Sequence, residues 1–221
     1  MRTEHKNDPT MDPSGFVLLA DYVPHIVQEI RYYSTYNFIG ERIDGYEEPC
    51  ALLTIEAARA LKSVSNELIV QGYRLKVFDA YRPVCAVKHF ILWGIEDQDV
   101  RMKPYFYPEL EKQELFSRGY IARQSSHSRG SALDLTLLDM RTGKEVDMGG
   151  PFDLFSEISH PDYRGEGLTD EQYENRMLLQ RAMVRSGFEP YECEWWHFRL
   201  KDEPYPDTYF AFPVSSRYLK R

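Results

Sequence analysis

The segment after Thr54 has the residue spacing of a helix. Small and apolar side chains from Ile55 to Leu68 recur three or four positions apart, as on one buried helix face. Thr54 can serve as the N-cap, and Gly72 can take the left-handed conformation that often ends a helix. The pattern predicts an amphipathic helix between these two residues.

Two more helices are predicted further along the chain. One runs from Pro83 to Trp93, with the proline at the first helical position, where its missing N–H costs nothing. The other runs from Asp170 to Ser186, because Thr169 and Gln172 have the spacing of a capping box.

Strands and loops are predicted between the helices. The segments Arg74 to Asp79 and Ala132 to Leu138 alternate as strands do, and residues 188–200 read as two short strands. The segment Met148 to Gly167 is rich in Gly, Pro and Asp, and loops of this length usually serve a function or are disordered. The tail after residue 200, which contains prolines and aromatics, is expected to wrap the surface.

Composition narrows the class of protein. A chain of 221 residues fits one domain with a sizeable core. The net charge is −8 and no Lys/Arg cluster is present, which argues against a nucleic-acid partner. No run of 18 apolar residues exists, so no membrane span is expected.

The N-terminus and the cysteines bear on location. The first residues lack an apolar stretch, so no secretory signal is expected as numbered. The chain has three cysteines, Cys50, Cys85 and Cys193, and an odd number argues against a disulfide framework. None of them has CxxC spacing, which argues against a thiolate zinc site. A cytoplasmic location is expected; a periplasmic or exported protein with a trimmed signal is the alternative.

Two short stretches carry the candidate chemistry. The first, Ser125 to Asp134, contains His127, and the second is Glu194-Trp-Trp-His197. Together they supply two imidazoles and one carboxylate as zinc ligands, and a second carboxylate that can act as a base. These are the groups of a catalytic zinc site. The alternatives are an Asp134 satisfied by backbone donors, an exposed glutamate and a buried histidine.

The spacing within the second stretch restricts its geometry. Positions three apart in a flat strand point to opposite faces. Glu194 and His197 can therefore serve one site if Glu194 lies in a turn and His197 on the following strand. The two intervening tryptophans, Trp195 and Trp196, are expected to wall the site.

Two other polar residues have open interpretations. Arg82 follows a predicted strand and could stabilise a developing oxyanion; the alternative is an ion pair with Asp79. Asp153 lies in the long loop, either as a turn former or as a partner for a substrate ammonium. The remaining histidines are expected to be surface or packing residues: His5, His25, His89 and His160.

The motifs in their order along the chain resemble a known family. Tyr81–Pro83, Ser126–Gly130 with Asp134, and Glu194–His197 resemble the D-alanyl-D-alanine dipeptidases of the VanX type. That zinc peptidase group also includes D-alanyl-D-alanine carboxypeptidases and the hedgehog signalling domain. The likeness extends from about residue 16 to 214.

The resemblance implies a role for each site residue. One zinc ion per chain would be bound by His127, Asp134 and His197. Glu194 would be the general base, and Arg82 would stabilise the transition state.

The resemblance also implies a substrate pocket and a fold. Ser125 and Asp153 would line the pocket, with Asp153 near the free amine of the peptide, and Tyr33 would be a pocket tyrosine. The implied fold is α+β, a small antiparallel sheet flanked by helices. Residues 16–221 would form a single domain, preceded by an N-terminal extension, residues 1–15, that is expected to be flexible.

Three functions follow, in order of preference. The first is zinc-dependent hydrolysis of D-alanyl-D-alanine, a small D,D-dipeptide, to two D-alanines. The second is a D,D-carboxypeptidase or cell-wall endopeptidase on the same fold. The third is a non-catalytic zinc-stabilised binding module, which would need neither Glu194 nor Arg82. The sequence leaves open the oligomeric state and the choice between cell-wall precursor depletion, glycopeptide resistance and D-alanine recycling.

Overall fold

A five-stranded mixed sheet and a two-stranded sheet, with helices around them, form an α+β fold, as expected. The structure is a computed structural model that describes residues 9–96 and 98–219. The strands are β1 Phe16–Leu18, β2 Val27–Gln28, β3 Leu52–Thr54, β4 Tyr73–Asp79, β5 Ala132–Asp139, β6 Phe188–Tyr191 and β7 Glu194–Leu200. The helices are α1 Leu19–Tyr22, α2 Ile55–Val70, α3 Val84–Ile95, α4 Lys103–Phe106, α5 Lys112–Ser117 and α6 Asp170–Arg185.

The larger sheet places chemistry-bearing residues side by side. Its strand order is β2-β4-β5-β7-β6; the pairs β4–β5, β5–β7 and β7–β6 are antiparallel, and β2 is parallel to β4. Asp79 on β4 lies opposite Asp134 on β5, and Asp134 lies opposite His197 on β7. Three polar side chains therefore form one row across the sheet.

Helix α2 confirms the predicted amphipathic helix. The Thr54 side chain accepts a hydrogen bond from the Ala57 N–H, and Gly72 follows the helix with φ of 89°. The inward face, which includes Ala58 and Leu61, is fully buried. Helix α2 packs on β4 and α6, so its apolar face covers one side of the sheet.

The other two predicted helices differ slightly at their ends. Pro83 is the N-cap of α3 rather than its first helical residue, because its ψ of 155° is extended and helical geometry begins at Val84. The capping box of Thr169 and Gln172 opens α6 as predicted, and that helix ends at Arg185.

The C-terminal tail differs from expectation. Phe210, Phe212 and Val214 are buried in the core. The ring of Phe212 stacks on Tyr81 with centroids 4.4 Å apart. The tail also anchors the start of the described chain, since the Thr10 backbone exchanges hydrogen bonds with residues 209 and 211. Residues 1–8 of the expected flexible extension lie outside the described residues.

None of the helices in the described part of the chain is long and apolar enough to cross a membrane.

Candidate metal centre and active site

Three side chains bring potential metal ligands together. The distance from His127 Nε2 to His197 Nδ1 is 3.0 Å, from His197 Nδ1 to Asp134 Oδ1 3.0 Å, and from His127 Nε2 to Asp134 Oδ1 3.4 Å. Ligand atoms placed tetrahedrally at zinc–ligand distances of about 2.0–2.1 Å lie about 3.3 Å apart. The three residues therefore fit one zinc-sized ion, and three protein ligands leave a fourth position open.

Local structure explains why these three residues meet. His127 lies in a 3₁₀ turn, Ser126–Arg129, and Gly130 ends that turn with φ of 80°. A Cβ atom at Gly130 would lie 2.2 Å from the ring of Phe16, so only glycine fits there. The turn leads directly into β5, which carries Asp134 opposite His197.

Hydrogen bonds orient both imidazoles. His127 Nδ1 lies 2.7 Å from the Ala80 carbonyl oxygen, to which it donates, leaving Nε2 free for a metal. His197 Nε2 lies 3.3 Å from Ser126 Oγ, which leaves Nδ1 free. Such partners fix the tautomer of a ligating histidine. The role of Ser126 was not foreseen from the sequence.

The charges in the cluster favour metal binding. Burial by itself would raise the pKa of Asp134, but the imidazoles of His127 and His197 hold that pKa below its usual range. Burial lowers the pKa of His197. An ionised carboxylate and neutral imidazoles are the forms that bind a metal. Among the described residues, the partners of the Asp134 carboxylate are the two imidazoles and the Arg82 guanidinium rather than backbone donors.

Arg82 forms the ion pair that the sequence offered as the alternative, and its guanidinium also faces the cavity. Its Nε donates to Asp79 Oδ2 over 2.9 Å, so the ion pair with Asp79 exists. The guanidinium also lines the cavity beside the cluster, with Nη2 3.5 Å from Asp134 Oδ2. Tyr46 donates to the other oxygen of Asp79 over 2.6 Å. Asp79 and Tyr46, which sequence reasoning missed as site residues, therefore hold Arg82 in place.

Glu194 faces the cavity close to the metal cluster. Its Oε2 lies 3.9 Å from His197 Nδ1, and the side chain is 12% exposed. Burial, and then the charges of Asp134 and Asp153, raise the pKa of Glu194 well above its usual range. A carboxylate with a raised pKa is a stronger base.

The expected position of Glu194 in a turn is wrong. Glu194 is the first residue of β7, and the turn consists of residues 192–193. Along β6 the pairing shifts from Pro190 opposite Phe198 to Tyr191 opposite Glu194. Residues 195–197 thus bulge out of the register with β6, and this irregularity lets Glu194 and His197 share one face.

The two tryptophans also differ from expectation. Trp195 and Trp196 are both buried in the core rather than lining the cavity. Trp196 packs on Phe152 with ring centroids 5.5 Å apart. Both side chains pack in the core beside β7, because the bulge turns them away from the cavity.

The cavity beside the cluster has a volume of about 380 Å³. Its lining includes Ser125, whose Oγ also accepts from the His127 N–H over 3.3 Å. Asp153 lines it too, is 3% exposed, and has the left-handed φ of 63°. Burial, and then the charge of Asp134, raise the pKa of Asp153 well above its usual range.

Tyr33 is not in the lining; the adjacent tyrosine is. Tyr32 lines the cavity and its hydroxyl donates to the carboxylate of Asp153, at 3.0 and 3.2 Å. Tyr33 lies instead near the guanidinium of Arg42. The two adjacent tyrosines fall in a short 3₁₀ turn, where side-chain direction cannot be derived from strand or helix periodicity.

The remaining histidines in the described part of the chain stand apart from the cluster. His89 pairs with Glu41, His160 lies 3.2 Å from the Tyr120 hydroxyl, and His25 is exposed. His5 lies outside the described residues. In residues 9–96 and 98–219, the group of His127, Asp134 and His197 is the one that can hold a metal ion.

An open metal site beside a buried carboxyl group and a guanidinium is the site of a metal-dependent hydrolase. Comparison with known proteins then gives the family. Residues 12–215 match the Peptidase_M15 family model, described as D-ala-D-ala dipeptidase, and the chain belongs to this family.

Similar proteins cover almost the whole chain. A D-alanyl-D-alanine dipeptidase of Enterococcus faecalis is 42% identical over 202 residues, 91% of this chain and 99% of that protein. One of Streptomyces coelicolor is 40% identical over 200 residues, 90% of this chain and 98% of that protein. A solved structure of the vancomycin resistance D,D-pentapeptidase VanY with Zn(II) covers 72% of this chain and 78% of its own, at 15% identity and a TM-score of 0.39.

Proposed function

We propose that this protein is a zinc-dependent dipeptidase that hydrolyses D-alanyl-D-alanine to two D-alanines. The observation that carries the proposal is one cavity of about 380 Å³ lined by the metal cluster, by Glu194 and Arg82, and by the buried carboxyl group of Asp153. Family membership and the similar dipeptidases support the same substrate.

His127, Asp134 and His197 are the residues that would hold zinc. Zinc bound there would acidify a water molecule and polarise the peptide carbonyl. The protein supplies the orientation: the Ala80 carbonyl and Ser126 Oγ fix the two imidazoles.

Glu194 is the general base of the proposed reaction. It takes a proton from the attacking water as the C–O bond forms, and then returns that proton to the nitrogen of the leaving D-alanine as the peptide C–N bond breaks. The side chain suits this role because it borders the cavity and its Oε2 is 3.9 Å from the ligand atom of His197.

Arg82 stabilises the charge that develops on the carbonyl oxygen. Its guanidinium is pre-oriented by Asp79, so little reorganisation is needed during the reaction. One pre-oriented donor of this kind contributes about 2.7–4 kcal/mol of transition-state stabilisation.

Asp153 binds the ammonium group of the dipeptide. Burial raises the pKa of Asp153, so this carboxyl group needs a nearby cation to be ionised, and the free amine of a dipeptide supplies one. An N-acylated or longer peptide would place a neutral amide there. This arrangement favours a dipeptidase over a D,D-carboxypeptidase or endopeptidase, while Glu194 and Arg82 argue against a non-catalytic module.

The test combines zinc content with D-alanine release from D-alanyl-D-alanine. For Glu194→Gln we expect a loss of about 10²- to 10⁴-fold in kcat with zinc content unchanged, since the proton acceptor is removed but the ligands remain. Glu192→Gln, in the adjacent exposed turn, is the matched control and should match the wild type.

Two results would contradict the proposal. One is a wild type that holds one zinc per chain and releases no D-alanine from the dipeptide. The other is equal cleavage of D-alanyl-D-alanine and its N-acetyl derivative, which would indicate a carboxypeptidase or endopeptidase.

A further inference from the structure

Arg176 on helix α6 is a buried cation that the reaction described above does not use. Arg176 is 1% exposed; in the described part of the chain the charge of Asp147 attracts it, but no carboxylate oxygen lies within ion-pair distance of its guanidinium. Burial lowers the pKa of Arg176 to about 10. Burying a guanidinium without an ion-pair partner is costly, so its hydrogen bonds must compensate.

Those hydrogen bonds go to the backbone of one loop. Nε donates to the Met148 carbonyl over 2.6 Å, and Nη1 donates to the carbonyls of Ile158 and His160 over 2.8 and 3.2 Å. Arg176 therefore ties together the two ends of the segment 148–160, which we call the Asp153 loop. Asp153 lies five residues from Met148 and five from Ile158.

Other contacts hold the middle of the Asp153 loop or one end at a time: Asn175 on α6 donates to the Asp147 carbonyl over 2.9 Å, and His160 lies 3.2 Å from the Tyr120 hydroxyl. Phe152 stacks on Phe78 with centroids 4.8 Å apart, and the Phe155 N–H donates to the Phe106 carbonyl. Apolar stacking lets a ring slide, whereas three directed hydrogen bonds from one planar guanidinium do not. The left-handed backbone of Asp153 needs such restraint, since it is unfavourable for a residue other than glycine.

We infer that Arg176 is a positioning residue: by joining both ends of the Asp153 loop to α6, it holds the Asp153 carboxylate at the place where the substrate amine binds. This inference rests on the proposed function. The ammonium is present both before and during the reaction, so its binding affects the ground state and the transition state alike. Loss of Arg176 should therefore appear in KM rather than in kcat.

The test uses the full-length zinc enzyme with Arg176→Met, Arg176→Lys and, as a matched control, Arg181→Met. Arg181 is an exposed arginine on the same helix, paired with Glu174. The measurements are KM and kcat for D-alanyl-D-alanine, inhibition by propionyl-D-alanine, zinc content, and amide hydrogen exchange across residues 148–160. Propionyl-D-alanine has the shape of the dipeptide without its amine.

We expect Arg176→Met to raise KM about tenfold or more, with kcat within about threefold of the wild type. Inhibition by propionyl-D-alanine and zinc content should be unchanged, and exchange in the Asp153 loop should be faster. Arg176→Lys keeps the charge but not the planar set of N–H donors, so its KM should lie between those of the wild type and Arg176→Met. This variant provides the test if Arg176→Met folds poorly. Arg181→Met should match the wild type.

An unchanged KM for Arg176→Met would overturn the inference, because Arg176 would then have no effect on substrate binding. Equal weakening of the binding of the dipeptide and of propionyl-D-alanine would also overturn it, because the amine would then not be involved. A wild type that does not cleave the dipeptide at all would refute the proposed function instead. In that case, the rate of amide hydrogen exchange in the Asp153 loop tests Arg176 separately. A rate that Arg176→Met leaves unchanged would overturn the role of Arg176.

Discussion

At the scale of single residues, Asp79 is the point where the supporting contacts of the site converge. It pairs with Arg82, accepts from Tyr46, and has Oδ2 3.5 Å from His127 Nδ1. It is fully buried. One carboxylate thus connects the guanidinium that lines the cavity with an imidazole of the candidate metal site, although the sequence offered it only as an ion-pair alternative for Arg82.

Removing the charge of Asp79 is expected to cost stability as well as activity. Asp79→Asn should lower the free energy of unfolding by about 3 kcal/mol. This value is at the low end of the cost of breaking a buried ion pair, because Asp134 remains close to Arg82. Urea denaturation measures the change. Tyr46→Phe, which deletes a single hydroxyl, is the comparison and should cost about 1–2 kcal/mol. A smaller effect for Asp79→Asn than for Tyr46→Phe would contradict this account.

At the scale of elements, the termini of the helices follow local chemistry, whereas the site depends on an irregularity in a strand. Thr54 caps α2 and also bonds Ser131 Oγ over 2.7 Å, so the cap connects a helix to the chain that leads into β5. Thr169 caps α6 in an exposed position. The bulge of residues 195–197, by contrast, lies where β7 loses its register with β6 while His197 stays paired with Asp134 on β5.

The two caps give a graded stability prediction. Thr169→Ala should lower the free energy of unfolding by about 1 kcal/mol, the usual cost of losing an N-cap. Thr54→Ala should cost more, about 2 kcal/mol, because it also leaves the buried Ser131 hydroxyl without this partner. Chemical denaturation of both variants checks the order. An equal cost at the two sites would mean that the contact with Ser131 contributes nothing.

At the scale of the whole molecule, the metal cluster joins distant parts of the chain. The three side chains that would bind the metal come from a 3₁₀ turn, from β5 and from β7. Binding that requires this assembly stabilises the folded state, because the unfolded chain does not keep the three ligands together.

Removal of zinc should therefore lower the thermal stability of the protein. With free zinc a thousandfold above its Kd, binding contributes about 4 kcal/mol, which for a chain of this size corresponds to a Tm change of about 8–16 °C. Calorimetry with zinc and with excess EDTA measures the change. His197→Ala should have a Tm that responds little to zinc, and a wild type with the same Tm in both conditions would refute the proposed site.

Much of the architecture could be predicted because it depends on near neighbours in the chain. Helix α2, the capping box of α6 and the paired strands β6 and β7 follow from periodicity and capping chemistry. The expected metal ligands came from the order of motifs and their family resemblance, and the structure brings these residues within contact distance of one another.

The errors share a different cause. Glu194 was expected in a turn, the adjacent Trp195 and Trp196 at the cavity wall, and Tyr33 in the pocket where Tyr32 lies. Each concerns the direction of a side chain in an irregular segment. Periodicity gives no information on direction there, because neighbouring elements rather than the local backbone decide it.

The sequence by itself determined the longer helices α2, α3 and α6, the strands β4 to β7 and the residue types available for a metal-dependent peptidase. Only the tertiary structure decided that Asp79 orients Arg82, that Tyr32 rather than Tyr33 meets Asp153, and that Arg176 joins both ends of the Asp153 loop. The physical reason is that each of these contacts joins groups whose partners are set by strand register and helix packing. Such contacts leave no periodic pattern in the chain.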